Sequence, residues 1–344
     1  MHSSVLAEML TSQSAIQSAA TGYPGSSDEN PIVVPEVDAN AFRDLLVMFY
    51  GIISDPLYQQ FISDAADENL RNSDIFKRYL GIAVTSQQLS IDGLEDWARK
   101  QLNLVMSSPE RLAGYSWDRD LLIAGLSYAK QTWDTDLERN VRNLICCHLQ
   151  ARGGWLSGSP IVQVVNDTLV HFYQKPELKD DDPALFGFVF CSILSLGHKS
   201  SVWKNLTQED RTKLMVSQVY LTPLPRTALH LGWIYHPSDL SDFINAKKST
   251  ECSSECGKRF TTLVLRKTFT QEYLKRLESE APLIGISALR ELPRLRRDMI
   301  ITMRKDDFSW EIEADCVKHI MFWLDEKINI VFTTLGNSYH NKIY

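Results

Sequence analysis

The chain has little cysteine, no long apolar run and no surplus of positive charge. Six cysteines in 344 residues are too few for a disulfide framework, so the sequence favours a reducing compartment, the cytoplasm or the nucleus. No stretch reaches the roughly 18 uninterrupted apolar residues that span a bilayer, and residues 1–20 lack the regions of a signal peptide. A formal net charge of -7 disfavours nonspecific nucleic-acid binding. We therefore expect an intracellular protein that binds neither membrane nor nucleic acid.

The linear motifs of common enzyme classes are also missing. The sequence has no G-x-S-x-G elbow, no H-E-x-x-H and no G-x-G-x-x-G, and Cys252 stands where a P-loop ending at Gly257-Lys258 needs its first glycine. Asp180, Asp181 and Asp182 lack the alternation of an EF-hand loop and indicate the solvated start of a helix. We assign no catalytic residue and no cofactor, and we expect a protein that is not an enzyme. The alternative is an enzyme whose site is assembled by tertiary contacts in the C-terminal helical region.

One cysteine pair has the spacing of metal ligands. Cys252 and Cys256 form C-x3-C in a polar loop, and a tight turn can direct two such thiolates at one zinc ion. Zinc needs two further ligands, and His230 and His236 are the only near candidates in the sequence. The favoured interpretation is a pair of ordinary loop cysteines, with a zinc site and a redox pair as alternatives. No metal is therefore assigned.

A basic segment lies near the C-terminal end. Arg290, Arg294 and Arg297 are spaced to share one face of a helix, which suits an acidic partner or nucleic acid. Glu291 and Asp298 dilute this charge, and no aromatic residues are interleaved with it. A solvated helix face is therefore the favoured interpretation, and a zinc-dependent or basic-surface nucleic-acid binder is the alternative.

Apolar residues recur at helical spacing along most of the chain, which predicts a mostly α-helical protein with an α+β N-terminus. A short strand is predicted at residues 31–35, and residues 260–269 fit a strand or a helix. The predicted core includes Cys146 and Cys147, with Trp97, Trp117, Trp133 and Trp323. The main predicted helices cover residues 3–10, 38–51, 57–69, segments starting at 74 and 92, 118–132, 135–149, 161–173, 183–196, 208–220, a short helix within 233–246, 273–280, 286–305 and 310–335.

Three segments resemble parts of a BTB/POZ domain. Residues 26–51, SSDENPIVVPEVDANAFRDLLVMFYG, are similar to its middle, where a proline-bounded strand leads into a helix with a Leu-Leu and a terminal aromatic pair. Residues 79–102, YLGIAVTSQQLSIDGLEDWARKQL, resemble its closing helical hairpin, and residues 3–10, SSVLAEML, resemble a preceding helix. The series is most similar to the BTB/POZ families of mushroom-forming fungi. Residues 182–203 are also similar to their shared C-terminal region.

The resemblance implies a non-catalytic adaptor that binds protein partners, by analogy a cullin-type ubiquitin-ligase scaffold. We expect a partial BTB/POZ-like domain at 1–110, a helical extension at 111–152 and a helical C-terminal domain at 153–344. The resemblance also implies possible self-association, but the family's opening strand, which pairs across a dimer, has no counterpart before residue 3, so a dimer formed by that strand does not follow. The residues that match the family helix are Phe42, Leu45, Leu46, Phe49 and Tyr50, and those expected to pack in the hairpin are Leu80, Ala83, Leu89, Leu94, Trp97 and Ala98.

Overall fold

The computed structural model describes residues 37–107, 112, 117–150, 160–236, 258–281, 283–303 and 314–340. Within these residues the regular secondary structure is helical and contains no strand. The prediction of a mostly helical protein is therefore confirmed. The strand predicted at 31–35 and the helix predicted at 3–10 lie outside the described residues, and so do Arg304 and Lys305. None of the described helices combines the length and hydropathy needed to cross a bilayer.

The chain divides into two compact units, Met1–Leu144 and Ile145–Tyr344. The helices of the first unit are α1 (Ala39–Tyr50), α2 (Pro56–Ser63), α3 (Ser73–Gln88), α4 (Asp92–Val105) and α5 (Arg119–Gln131). Helix α6 (Thr135–Leu149) crosses the division.

The second unit begins with α7 (Pro160–Tyr173), α8 (Pro176–Asp181), α9 (Pro183–Leu196), α10 (Ser201–Lys204), α11 (Gln208–Tyr220) and α12 (Gly232–Tyr235). A π-helical segment (Phe260–Leu265) continues into α13 (Arg266–Thr268). The remaining helices are α14 (Gln271–Leu277), α15 (Ile284–Arg290), α16 (Leu292–Met303) and α17 (Ala314–Tyr339).

Side-chain caps explain where several helices begin. Asp38 accepts a hydrogen bond from the Ala41 backbone N–H at 2.9 Å, so it caps α1 as its position predicts. The predicted helix start at residue 74 offers Asp74 as the cap of α3, but the cap is Asn72, which accepts from the N–H groups of residues 74 and 75. Asp182 was predicted to be solvated, but it is buried and caps α9 by accepting from Leu185 N–H at 3.0 Å.

The core of the first unit is built where α3 packs against α1 and α4. Leu45 of α1, Leu89 and Ile91 form a buried cluster, with Phe42 and Leu94 packed against it. Glycine is required at position 81, because a Cβ there would lie 2.9 Å from the Ala41 Cβ. The close approach of α1 to α3 positions the exposed end of α1 described below.

The second unit is organised around α9, whose residues from Ala184 to Leu194 are all buried. This helix is apolar on every side, as expected for a helix in the centre of a unit. It packs mainly against α17. The two backbones meet at Gly187 and Gly336, where a Cβ on Gly187 would lie 1.7 Å from the Phe332 carbonyl oxygen.

The structure decides one prediction that was left open and corrects another. Residues 260–268 are helical, which is one of the two alternatives predicted for this segment, and the buried Phe260 and Val264 lie four residues apart on one helical face. Trp133 was predicted to lie in the core but is 88% exposed, because it follows α5 in a turn with a left-handed φ of 55°. Buried positions were predicted correctly for Trp117, Trp323, Cys146 and Cys147, whereas Trp97 is half-buried.

Candidate interaction surface

Large apolar side chains are exposed where α1 ends and α2 begins. We call Phe49, Tyr50, Ile52, Ile53 and Leu57 the α1–α2 apolar segment. Tyr50 is 75% exposed, Ile52 65% and Ile53 79%, and the other two are exposed to a lesser degree. The Phe49 and Tyr50 rings contact each other edge to face, with centroids 5.3 Å apart. Exposed apolar clusters of this kind mark interaction sites in folded proteins.

Hydrogen bonds hold the backbone of this segment in one conformation. Gly51 N–H donates to the Val47 carbonyl at 2.8 Å, and Asp55 N–H donates to the Ile52 carbonyl at 2.9 Å. The Gln59 side-chain amide donates to the Ile53 carbonyl at 2.5 Å. The turn therefore presents its apolar side chains on an ordered backbone, which lowers the entropy that a partner must remove on binding.

Gly51 is the residue that lets the turn close. A Cβ at this position would lie 2.3 Å from the Val47 carbonyl oxygen and 2.4 Å from Cδ2 of Tyr58. The Tyr58 ring of α2 therefore packs directly on the end of α1. Asp55 then caps α2 by accepting from Leu57 N–H at 2.9 Å.

A cavity of about 500 Å³ lies along the opposite, N-terminal half of α1. Its lining comes from α1, α3 and α5 and includes Asp44, Lys77, Gly81 and Leu121. Arg78, which also lines it, is held by Asp64 at 2.9 Å and lies over the Phe61 ring at 4.6 Å. The described lining thus carries both acidic and basic side chains.

A second cavity, of about 600 Å³, lies in the second unit. We call it the Trp233 cavity. It is lined by Arg226, Thr227, His230, Gly232, Trp233, Tyr235, His236, Lys327 and Ile330.

The candidate metal ligands of the sequence are only partly described. Cys252 and Cys256 lie outside the described residues, whereas His230 and His236 both line the Trp233 cavity. Among the described residues, no group of three or more His, Cys, Asp or Glu side chains is arranged to hold a metal ion. Of the described thiols, Cys191 is fully buried, and this burial raises its pKa to about 12. A thiol of this kind is a poor nucleophile.

Two of the three arginines of the predicted basic face make contacts within the fold. The helix predicted over 286–305 is interrupted at Glu291, so Arg290 ends α15 while Arg294 and Arg297 belong to α16. The Arg290 guanidinium donates to the Leu149 carbonyl at 3.3 Å. Arg294 pairs with Glu291 at 3.0 Å. Arg290 and Arg294 therefore both make contacts within the fold.

A neighbouring arginine, Arg296, makes a buried pair with Asp325 of α17. Its Nη2 donates to Asp325 Oδ2 at 2.8 Å, and its Nε donates to the other carboxylate oxygen. Both side chains are less than 10% exposed. A buried, bidentate ion pair of this kind joins α16 to α17 at a defined position along both helices.

Buried tyrosines with shifted pKa values are also accounted for by the fold. Burial raises the pKa of Tyr79 to about 12, and its hydroxyl donates to the Phe61 carbonyl at 2.6 Å. Burial also raises the pKa of Tyr273, whose hydroxyl donates to the Ala288 carbonyl at 2.9 Å. Both hydroxyls are tied to backbone, so neither is placed to transfer a proton to a substrate.

The sequence did not identify either surface, although it drew attention to some of their residues. Phe49 and Tyr50 were assigned to an apolar helix stripe, but only Leu45 of the five matched positions is buried. The sequence feature that could have indicated the α1–α2 apolar segment is the apolar pair Ile52-Ile53 beside the turn residues Gly51, Ser54 and Asp55. The Trp233 cavity joins residues that lie about a hundred positions apart in the chain, so no local pattern could reveal it.

Comparison of the chain with protein-family models, with curated proteins and with solved structures finds no match.

Proposed function

We propose that this chain is a non-catalytic interaction protein that binds a partner protein through the α1–α2 apolar segment. The observation that carries the proposal is the exposure of Tyr50, Ile52 and Ile53 on a hydrogen-bonded turn. Water contact with such side chains is unfavourable, and a partner that covers them removes it. Tyrosine beside large aliphatic residues is also a common composition for the centre of a protein interface.

Coverage of these side chains supplies part of the free energy that specific binding requires. Burial of a fully exposed large apolar side chain contributes about 1.5–3 kcal/mol. Tyr50, Ile52 and Ile53 are between 65% and 79% exposed, so their complete coverage contributes roughly 3–6 kcal/mol. The ordered turn leaves more of this free energy as net affinity, because little backbone entropy is lost on binding.

The resemblance to BTB/POZ domains gives the proposal its finer form. We propose that the first unit is a partial BTB/POZ-like module and that its partner is a protein scaffold, of the cullin ubiquitin-ligase type by analogy. Burial of Leu80, Leu89 and Ala98, three of the positions expected to pack in the closing hairpin, supports this form. We propose the cytoplasm or the nucleus as its compartment, which the low cysteine content of the chain supports.

The proposal is tested by quantitative affinity capture with three versions of the full chain. These are the natural chain, a triple variant (Tyr50→Ser, Ile52→Ser, Ile53→Ser) and a control variant, Val219→Ser. Val219 is 73% exposed on α11, so its replacement removes exposed apolar surface from the second unit and leaves the α1–α2 apolar segment unchanged. A protein recovered in stoichiometric amounts by the natural chain and by the control, and lost with the triple variant, is the expected result.

Equal recovery of the same proteins by the triple variant would show that the segment is not the docking site. Sedimentation velocity of the three proteins separates self-association from binding to another protein. A dimer that becomes a monomer only in the triple variant would identify a second copy of this chain as the partner.

A further inference from the structure

The cavity of about 500 Å³ in the first unit follows helix α3 along one of its faces. Its lining includes Lys77, Gly81, Val84 and Gln88, which are spaced three and four residues apart and therefore share a face of the helix. The lining on α3 runs from Asp74 to Gln88, which corresponds to about 21 Å at the helical rise per residue. We call this cavity the α3 groove. Its length equals that of about four turns of a helix.

Two further helices complete the α3 groove. Helix α1 contributes Ala41 and Asp44, and α5 contributes Leu121 and Ala124. Leu121 is half-buried and Ala124 is exposed, so apolar groups of the lining remain in contact with water. A helix whose apolar side chains fill the groove removes this contact, which is the driving force of helix-in-groove recognition.

Carboxylates outnumber cationic groups in the described lining. The carboxylates belong to Asp38, Asp44 and Asp74, and the cationic groups belong to Lys77 and Arg78. Arg78 pairs at 2.9 Å with Asp64, whose side chain is 6% exposed, so the charge of this arginine is offset within the fold. Asp38 caps α1 with one carboxylate oxygen and keeps its negative charge in doing so. The described lining therefore favours a ligand with positive charge.

The first unit as a whole has the same sign of charge. Residues 1–144 contain 20 Asp and Glu and 11 Lys and Arg, which gives a formal net charge of -9 in a chain whose total is -7. The excess negative charge of the protein thus belongs to the unit that contains the groove. A unit of this charge attracts a basic partner over a longer range and repels an acidic one.

We propose that the α3 groove binds an amphipathic helix of a partner protein, with lysine or arginine beside the apolar face of that helix. The apolar face lies over Val84 and Leu121, and the basic residues lie at Asp38 and Asp44 of α1. The groove follows the N-terminal half of α1, whereas the α1–α2 apolar segment begins at Phe49. The groove is therefore a second surface, beyond the proposed function, and it is tested separately.

Three synthetic peptides of about 14 residues probe the groove by isothermal titration calorimetry on the full chain. The first has leucine at helical spacing and lysine at the remaining positions. The second has glutamate in place of lysine, and the third has the residues of the first in an order without an apolar face. We expect the first peptide to bind at least about tenfold more tightly than either of the others, because it alone combines an apolar face with positive charge.

Two lysine substitutions on α5 locate the bound peptide. Ala124→Lys places a long, charged side chain in the groove, whereas Ser127→Lys places the same side chain at an exposed position outside the described lining. Both variants change the net charge equally. Ala124→Lys should weaken binding of the first peptide by at least about tenfold, because the new ammonium must be desolvated or displaced, and Ser127→Lys should weaken it by less than about twofold.

Asp44→Asn tests the charge complementarity. It removes one carboxylate of the lining and should weaken binding of the first peptide by about threefold, as expected for a partly exposed ion pair. Asp67→Asn is the matched control, because Asp67 is exposed outside the described lining and an amide oxygen can still accept from Asn69 N–H. Circular dichroism and the thermal midpoint of each variant confirm that it is folded.

Four results would overturn the proposal. The first is no saturable binding of the leucine–lysine peptide, and the second is equal binding of its reordered form, which would show attraction by charge alone. The third is an affinity unchanged by Ala124→Lys or by Asp44→Asn. The fourth is loss of binding in the triple variant (Tyr50→Ser, Ile52→Ser, Ile53→Ser), which would place the peptide on the α1–α2 apolar segment.

Discussion

The crossing of α9 and α17 makes a sharp prediction for Gly187→Ala. Replacement of glycine by alanine inside a helix ordinarily stabilises that helix by about 0.5–1 kcal/mol. Here the added Cβ would lie 1.7 Å from the Phe332 carbonyl oxygen and 2.5 Å from its carbonyl carbon. The first distance is half of the 3.4 Å at which ordinary contacts begin. The two helices must therefore separate, and the sign of the usual effect is reversed.

The magnitude follows from what has to move. Extra methylene groups in a packed core cost about 1–3 kcal/mol when neighbouring side chains can yield. The obstacle at Gly187 is backbone of α17, which cannot rotate away, so we expect a loss of about 3 kcal/mol or more. For a unit of this size, such a loss lowers the thermal midpoint by about 6–12 °C.

Differential scanning calorimetry of the full chain measures the shift, and hydrogen exchange of α9 and α17 amides assigns the affected transition to the second unit. Gly232→Ala is the control with the same chemical change, since its Cβ meets no atom within 4 Å. We expect it to be neutral or slightly stabilising. A Gly187→Ala protein with an unchanged midpoint would refute the close helix crossing, and with it the packing of the second unit.

Three further predictions concern single contacts. Asp325→Ala should cost about 3–5 kcal/mol in urea unfolding, because it leaves Arg296 buried without its partner; a loss below 1 kcal/mol would contradict the buried pair. The neutral Tyr79 phenol is favoured in the fold, with its pKa raised from 10.0 to about 12, so its contribution to stability is complete below pH 10 and disappears as pH rises to 12. Tyr79→Phe should remove this part of the alkaline decline in urea stability, and an identical decline in both proteins would count against it. Asp38→Ala should cost about 1 kcal/mol through the lost α1 cap, while Asp38→Asn should retain most of the stability.

Local sequence signals accounted for much of the secondary structure. The predicted helix at 183–196 has the bounds observed for α9, because Pro183 suits the first helical turn and Gly197 adopts the left-handed φ of 71° that ends it. The position before a periodic apolar run predicts a cap at Asp38 or Asn40 and another at Thr207, and Asp38 and Thr207 accept the expected backbone hydrogen bonds. Such signals act over a few residues, so they predict helix ends without knowledge of the fold.

The sequence by itself thus determined that the chain is mostly helical, where many helices start and stop, and that Trp117 and Trp323 are buried. Tertiary structure alone decided which apolar residues stay in water, as Trp133 and Ile53 show. It also decided that residues 260–268 are helical and that Arg226 and Lys327 line one cavity. The reason is physical: periodicity and caps are local free energies, whereas exposure, cavities and charge pairs depend on contacts between segments far apart in the chain.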